Sequence, residues 1–217
     1  MISFTFSNLN KPISSVLCLG AHSDDIEIGC GGTVLRLIEQ DPHISFHWVV
    51  FSGHGLRKEE AMRSGNAFLE PVKDKKIIVK EFRDGYFPYI GAEIKEYFEQ
   101  LKRELSPDLI FTHYRDDLHQ DHRLINELTW NTFRDHLILE YEVPKFDGDL
   151  GVPNFFVHLD EATSRRKIDA ILAHFQSQSS RSWFTEETFS SLMRLRGLEA
   201  RAPQGCAEAF YGRKIVY

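Results

Sequence analysis

The chain alternates between short, almost continuous apolar runs and longer stretches in which apolar residues recur every three or four positions. Residues 16–20, 45–52, 76–79 and 108–112 have the length and β-branched or aromatic content of buried strands. Between them the period changes. Residues 32–40 carry Val34, Leu35 and Ile38, and 58–69 are charged along one side. In 92–105, Ile94, Tyr97, Phe98, Leu101 and Leu105 line one helical stripe, which Ser106-Pro107 ends because the residue before a proline disfavours the helical region. Strand-helix alternation of this kind predicts a parallel sheet covered on both faces, a Rossmann-like three-layer α/β sandwich.

The last third follows a different pattern. Segments 140–144 and 155–158 read as further strands around the turn-rich Asp147-Gly148-Asp149-Leu150-Gly151. A helix over 161–175 presents Ile168, Ile171, Leu172 and Phe175, another spans 185–196, and Ala207 to Tyr211 read as a closing edge strand. No repeat, low-complexity tract or linker divides the chain. A single domain over 1–217 is expected, its C-terminal third a substrate-binding elaboration.

Composition narrows the class of partner. The 217 residues are 42% hydrophobic and 27% charged, which is ordinary for a soluble globular protein, and no apolar run is long enough to span a membrane. Met1-Ile2-Ser3-Phe4-Thr5 lacks the basic flank and apolar core of a signal peptide, so a cytoplasmic location is the default expectation. Cys18, Cys30 and Cys206 are odd in number and lack C-x-x-C spacing, which argues against a disulfide framework. A net charge of -6 without a long basic run argues against nucleic acid. A small-molecule partner is left.

Two clusters carry chemistry. Ala21-His22-Ser23-Asp24-Asp25-Ile26-Glu27 follows the first strand, and His119-Gln120-Asp121-His122 follows the strand 108–112. In an open parallel sheet, ligands bind beyond the carboxyl ends of strands, so both loops should open on one edge. His22 and Asp25, three apart at a helix start, point to one side, and His122 supplies a third ligand of the kind catalytic zinc takes. Asp24 is then free to accept a proton, and His119, one turn before His122, to donate one or steady an oxyanion. Bland readings stand beside these: Asp24-Asp25 as a helix-capping pair, His119 and His122 as solvated polar residues. Gly29-Cys30-Gly31-Gly32 lacks the phosphate-loop lysine and reads better as close helix–strand packing. His113 ends a strand near the site, as a substrate contact or a satisfied histidine. Trp48 and Phe51 read as core. Trp183-Phe184 with Arg194, Arg196 and Arg201 read as a lid, an acidic-substrate contact or, by ordinary burial preference, a solvated helix face.

At these residues the chain resembles the LmbE-like (PIG-L) family of zinc-dependent de-N-acetylases, whose motifs read A-H-P-D-D-x-E and H-P-D-H. Further similarity lies in Arg57-Lys58-Glu59-Glu60-Ala61, Arg83-Asp84-Gly85, 107–113 and Ala207-Glu208-Ala209-Phe210. The resemblance implies His22, Asp25 and His122 as ligands to one Zn2+ (or another divalent metal such as Fe2+). It implies Asp24 as general base, His119 as acid or oxyanion stabiliser, Asp121 as the group orienting His119, and Arg57 as a substrate contact. The implied reaction removes acetyl from an N-acetylated amino sugar or glycoconjugate in surface-glycan or sugar-nucleotide metabolism. Ser23 and Gln120 replace family prolines, which stiffen loops. Rival expectations are a metallo-hydrolase acting on a phosphoester and a non-catalytic sugar- or nucleotide-binding module.

Overall fold

A computed structural model describes residues 11–215, and the amino-terminal segment read for a leader lies outside them. Strands β1 (Ser15–Gly20), β2 (Ser45–Val50), β3 (Lys75–Val79), β4 (Leu109–His113) and β5 (Leu137–Tyr141) alternate with helices α1 (Asp25–Gln40), α2 (Leu56–Phe68), α3 (Gly91–Glu104) and α4 (Gln120–Thr132). After β5 come β6 (Phe155–Leu159), α5 (Glu161–His174), α6 (Glu186–Ala200) and β7 (Cys206–Gly212). The seven strands form one sheet in the order β3-β2-β1-β4-β5-β7-β6. The first five are parallel, and β7 runs antiparallel to both its neighbours. The sandwich expected from the alternation is the one observed.

Side-chain alternation along each strand divides the interior in two. Val16 and Cys18 of β1, with Leu109 and Phe111 of β4, face a core shared with α1, α2, α5 and α6. Leu17, Leu19 and Ile110 face a second core shared with α3 and α4. A strand buried on both sides has no polar alternation to display, which is why these segments read as continuous apolar runs.

Three expectations change. Helix α1 begins at Asp25, seven residues before the expected start at Gly32, so the glycine run lies inside it. A Cβ on Gly29 would overlap the Tyr141 ring, and one on Gly32 would stand 2.6 Å from Leu159 Cδ1. These glycines let the helix lie close on the sheet. The closing strand β7 is interior, flanked by β5 and β6, and its central residues are buried; β6 takes the edge instead. Phe184 and Arg196 are buried while Arg194 and Arg201 are exposed, so the solvated face describes the last two and not Arg196. Arg196 instead bonds both Glu142 oxygens, at 2.8 and 2.9 Å, and the Gly151 carbonyl.

Gly29→Ala tests the close packing. The Tyr141 hydroxyl donates to the Leu19 carbonyl at 2.6 Å, so a displaced ring breaks a buried bond as well as overpacking the core. The expected loss is about 1–3 kcal/mol, measured by thermal or urea unfolding; unchanged stability would show that the helix shifts freely.

Candidate metal centre

Strands β1 and β4 are parallel neighbours, so the segments leaving Gly20 and His113 emerge side by side. A bond from the Ala21 amide to His113 Nε2, 2.9 Å, ties the two exits together. Asp25 sits in the first turn of α1 and accepts from the His22 amide at 2.6 Å, curling the first motif onto itself. Across the gap, α4 begins at Gln120 with His119 as its N-cap.

Three donor atoms converge there. His22 Nδ1 is 3.1 Å from His122 Nε2 and 3.3 Å from Asp25 Oδ2, and His122 Nε2 is 3.5 Å from Asp25 Oδ2. Tetrahedral zinc with bonds of about 2.0–2.1 Å needs donors about 3.3 Å apart, so this set fits such an ion. Other groupings of ligand atoms include His113, His119, Asp84 or Asp121. His113 Nε2 already accepts the Ala21 N–H, and His119 Nδ1 faces the Asp121 amide at 3.3 Å, which leaves both less free to bind.

Carboxylates stand behind the two histidines. His122 Nδ1 meets Asp117 Oδ2 at 2.9 Å, an arrangement that puts the proton on Nδ1 and leaves Nε2 as the donor. His22 Nε2 is 3.1 Å from Asp84 Oδ1 and 3.4 Å from Asp121 Oδ2. The expected pairing of the Asp121 carboxylate with His119 is not formed. That carboxylate accepts from the Gly85 and Phe87 amides at 2.7 and 3.1 Å and faces His22, because the 84–87 turn packs over the start of α4. Only the Asp121 backbone reaches His119. Arg57 stands one carboxylate further out, 3.2 Å from Asp84 Oδ2.

The adjacent carboxylates Asp24 and Asp25 are driven apart. Burial pushes both upward, but the His122, His113 and His22 rings around Asp25 hold it well below the usual range. Asp24 is raised to about 6 by burial and by Asp25 beside it. It makes no side-chain capping bond, and its buried Oδ2 lacks a hydrogen-bond partner among the described residues. Capping therefore does not explain it. Paired acids with opposed environments are the usual basis for separate ligand and proton-transfer roles. Burial, then His113, pushes His122 down to about 3. Burial works against the charged form of His22 as well, but Asp25, then Asp121 and Asp84, hold that imidazole well above its ordinary value.

The two lost prolines are replaced by anchors. Gln120 Nε2 donates to the Gly85 carbonyl, and Ser23 Oγ lies 3.5 Å from the Ser52 carbonyl. Sequence reasoning missed Asp117 and gave Asp84 no role. Asp117 stands two residues before His119 in Asp117-Leu118-His119-Gln120-Asp121-His122, a spacing that marks a loop carboxylate near the second motif.

The site thus joins His and Asp donors that could hold a metal ion to a buried carboxylate oxygen without a partner among the described residues, at the carboxyl edge of a parallel α/β sheet. The chain belongs to the PIG-L family: residues 17–133 match the family described as GlcNAc-PI de-N-acetylase, and that span holds His22, Asp24, Asp25, Arg57, Asp84, Asp117, His119, Asp121 and His122. A diacetylchitobiose deacetylase of Thermococcus kodakarensis is 30% identical over 136 residues, 53% of this chain and 48% of that protein. The match therefore spans about half of that relative. The N,N'-diacetylchitobiose deacetylase of Pyrococcus horikoshii superposes with a TM-score of 0.73 at 20% identity, over 97% of this chain and 87% of the other. The 4-carboxy-2-hydroxymuconate hydratase GalB of a Pseudomonas superposes equally well, TM-score 0.74 at 16% identity over 94% and 99%. The shared fold by itself does not select a reaction.

Proposed function

We propose that this chain is a zinc-dependent hydrolase that removes the acetyl group from an N-acetylated amino sugar, free or within a glycoconjugate. The observation that carries the reading is the buried Asp24 Oδ2, without a hydrogen-bond partner among the described residues, beside three mutually close donor atoms. A binding module has no need of a desolvated free carboxylate at that point. The family membership and the deacetylase relative support the amide bond as target.

His22, Asp25 and His122 would hold the ion. When bound, zinc supplies Lewis acidity that makes a nearby water a better nucleophile and polarises a carbonyl. Asp24 takes the proton of the attacking water as the new C–O bond forms at the acetyl carbon. His119, half-buried, stands with its ring 4.8 Å from that of His22 and 4.6 Å from that of His122. Entering protonated, it steadies the developing oxyanion and gives its proton to the amine as the C–N bond breaks; the proton held by Asp24 then restores it, leaving acetate and a free amino sugar. Burial, then His22, holds the His119 pKa below its ordinary value, which makes it a readier proton donor once charged. Arg57 and Asp84, joined to each other, offer a charged donor and an acceptor to sugar hydroxyls.

The segment after β5, with α5, α6 and β7, is read as the elaboration that shapes the substrate side. Three unbridged cysteines support action in a reducing, cytoplasmic setting on surface-glycan or sugar-nucleotide precursors. Among the described residues no helix is long and apolar enough to cross a membrane. Zinc-loaded chain incubated with a panel of N-acetylhexosamines, their short oligomers and nucleotide conjugates should release acetate from at least one. Cleavage of a phosphoester panel without acetate release would replace this reading with the phosphoesterase one.

A further inference from the structure

The loop 142–154 between β5 and β6 reaches back to the second motif through Lys145 and Asp149. Lys145 Nζ lies 2.9 Å from Asp117 Oδ2, the same oxygen that meets His122 Nδ1 at 2.9 Å. Lys145 also pairs with Asp149, whose Oδ2 accepts the Leu118 amide at 2.6 Å. The other Asp117 oxygen accepts the His119 amide at 2.8 Å. Asp117 thus holds a metal-ligand histidine with one oxygen and the backbone of the proposed acid with the other. The side chains of Lys145, Asp117 and Asp149 are 11%, 3% and 5% exposed. The loop itself is fixed at its base, where Glu142 accepts from the Gly151 amide and from Arg196.

A buried lysine costs desolvation and must be retained for something that offsets it. Its position on the shared oxygen is specific. An ionised carboxylate bonded to Nδ1–H pushes electron density into the imidazole and strengthens Nε2 as a donor. A cation on the same carboxylate oxygen draws that density back.

We propose that Lys145 is a positioning residue that moderates His122: by sharing Asp117, it keeps the bound ion electron-poor while fastening the His119 loop. This rests on the hydrolase reading for its effect on turnover, but its effect on metal retention does not. The two effects have opposite signs. Without Lys145, His122 donates more strongly, so the ion is held longer and is a weaker Lewis acid.

Lys145→Met alone leaves Asp117 and Asp149 buried without their cation and risks unfolding. The test is therefore the double variant Lys145→Met/Asp149→Asn, which preserves net charge and keeps an acceptor for the Leu118 amide. Zinc loss from the loaded variant to a colorimetric chelator should slow by about 10-fold, and kcat should fall by about 10-fold with KM unchanged. Lys145→Arg, which keeps the cation, should restore both. A merely structural lysine would lower retention and turnover together, so faster or unchanged zinc loss, or unchanged kcat, overturns the proposal. If the unaltered chain releases acetate from nothing in the panel, the hydrolase reading fails on that result, while the chelator measurement still decides the role of Lys145.

Discussion

Asp24→Asn is expected to keep its zinc and lose turnover by about 10² to 10⁴, the usual cost of removing a proton-transfer group. That range corresponds to roughly 3–5 kcal/mol of transition-state stabilisation. The substitution is nearly isosteric, so a residue only 4% exposed is not asked to repack. It removes a charge but no ligand, since the three converging donors belong to His22, Asp25 and His122. An amide cannot accept the proton from water as a carboxylate can. The measurement is kcat on whichever compound releases acetate, paired with elemental analysis of the same sample. Near-full activity would remove Asp24 from the base role. Loss of metal together with activity would make it a ligand instead.

His122→Ala should have the opposite signature. Removing a ligand from a three-ligand site should cost more than the 10–100-fold that outer partners such as Asp117 carry, so the purified variant should hold no stoichiometric zinc. It also strips Asp117 of its imidazole partner and leaves that carboxylate, 2% exposed, facing Lys145 and the His119 amide alone. A modest loss of stability should accompany the loss of metal, so the melting curve is recorded alongside the zinc content. Stoichiometric zinc in a folded variant would exclude His122 from the ligand set. The two variants together separate ion from proton: Asp24→Asn is loaded and inactive, His122→Ala unloaded and inactive.

The stretch from Ala21 to Glu27 was legible because its chemistry is local. An imidazole and two carboxylates within four residues at a strand end restrict what the segment can do. The residues 119–122 were legible for the same reason. The sheet was legible because burial on both faces leaves a continuous apolar signature, as at Leu109 to Phe111. The glycine run was read correctly as close packing, although the helix containing it begins earlier than its apolar period suggests. Polar residues at the start of α1 hide the period, since Asp24, Asp25 and Glu27 are buried although a hydrophobic pattern does not register them.

Sequence alone therefore determined the fold class, the two motifs and the division of Asp24 from Asp25 as candidates for different work, all of which depend on short spacings and strand order. Only the tertiary structure decided that His22 and His122, 100 positions apart, bring nitrogens within 3.1 Å of each other. It also turned the Asp121 carboxylate from His119 to His22, placed β7 inside the sheet, buried Arg196 against Glu142, and set Lys145 on the oxygen that orients His122. The physical reason is common to all of these. Periodicity and spacing record how a segment meets the core and its near neighbours, whereas the partner of a buried charge is chosen by whichever distant loop the packed sheet brings within hydrogen-bonding reach.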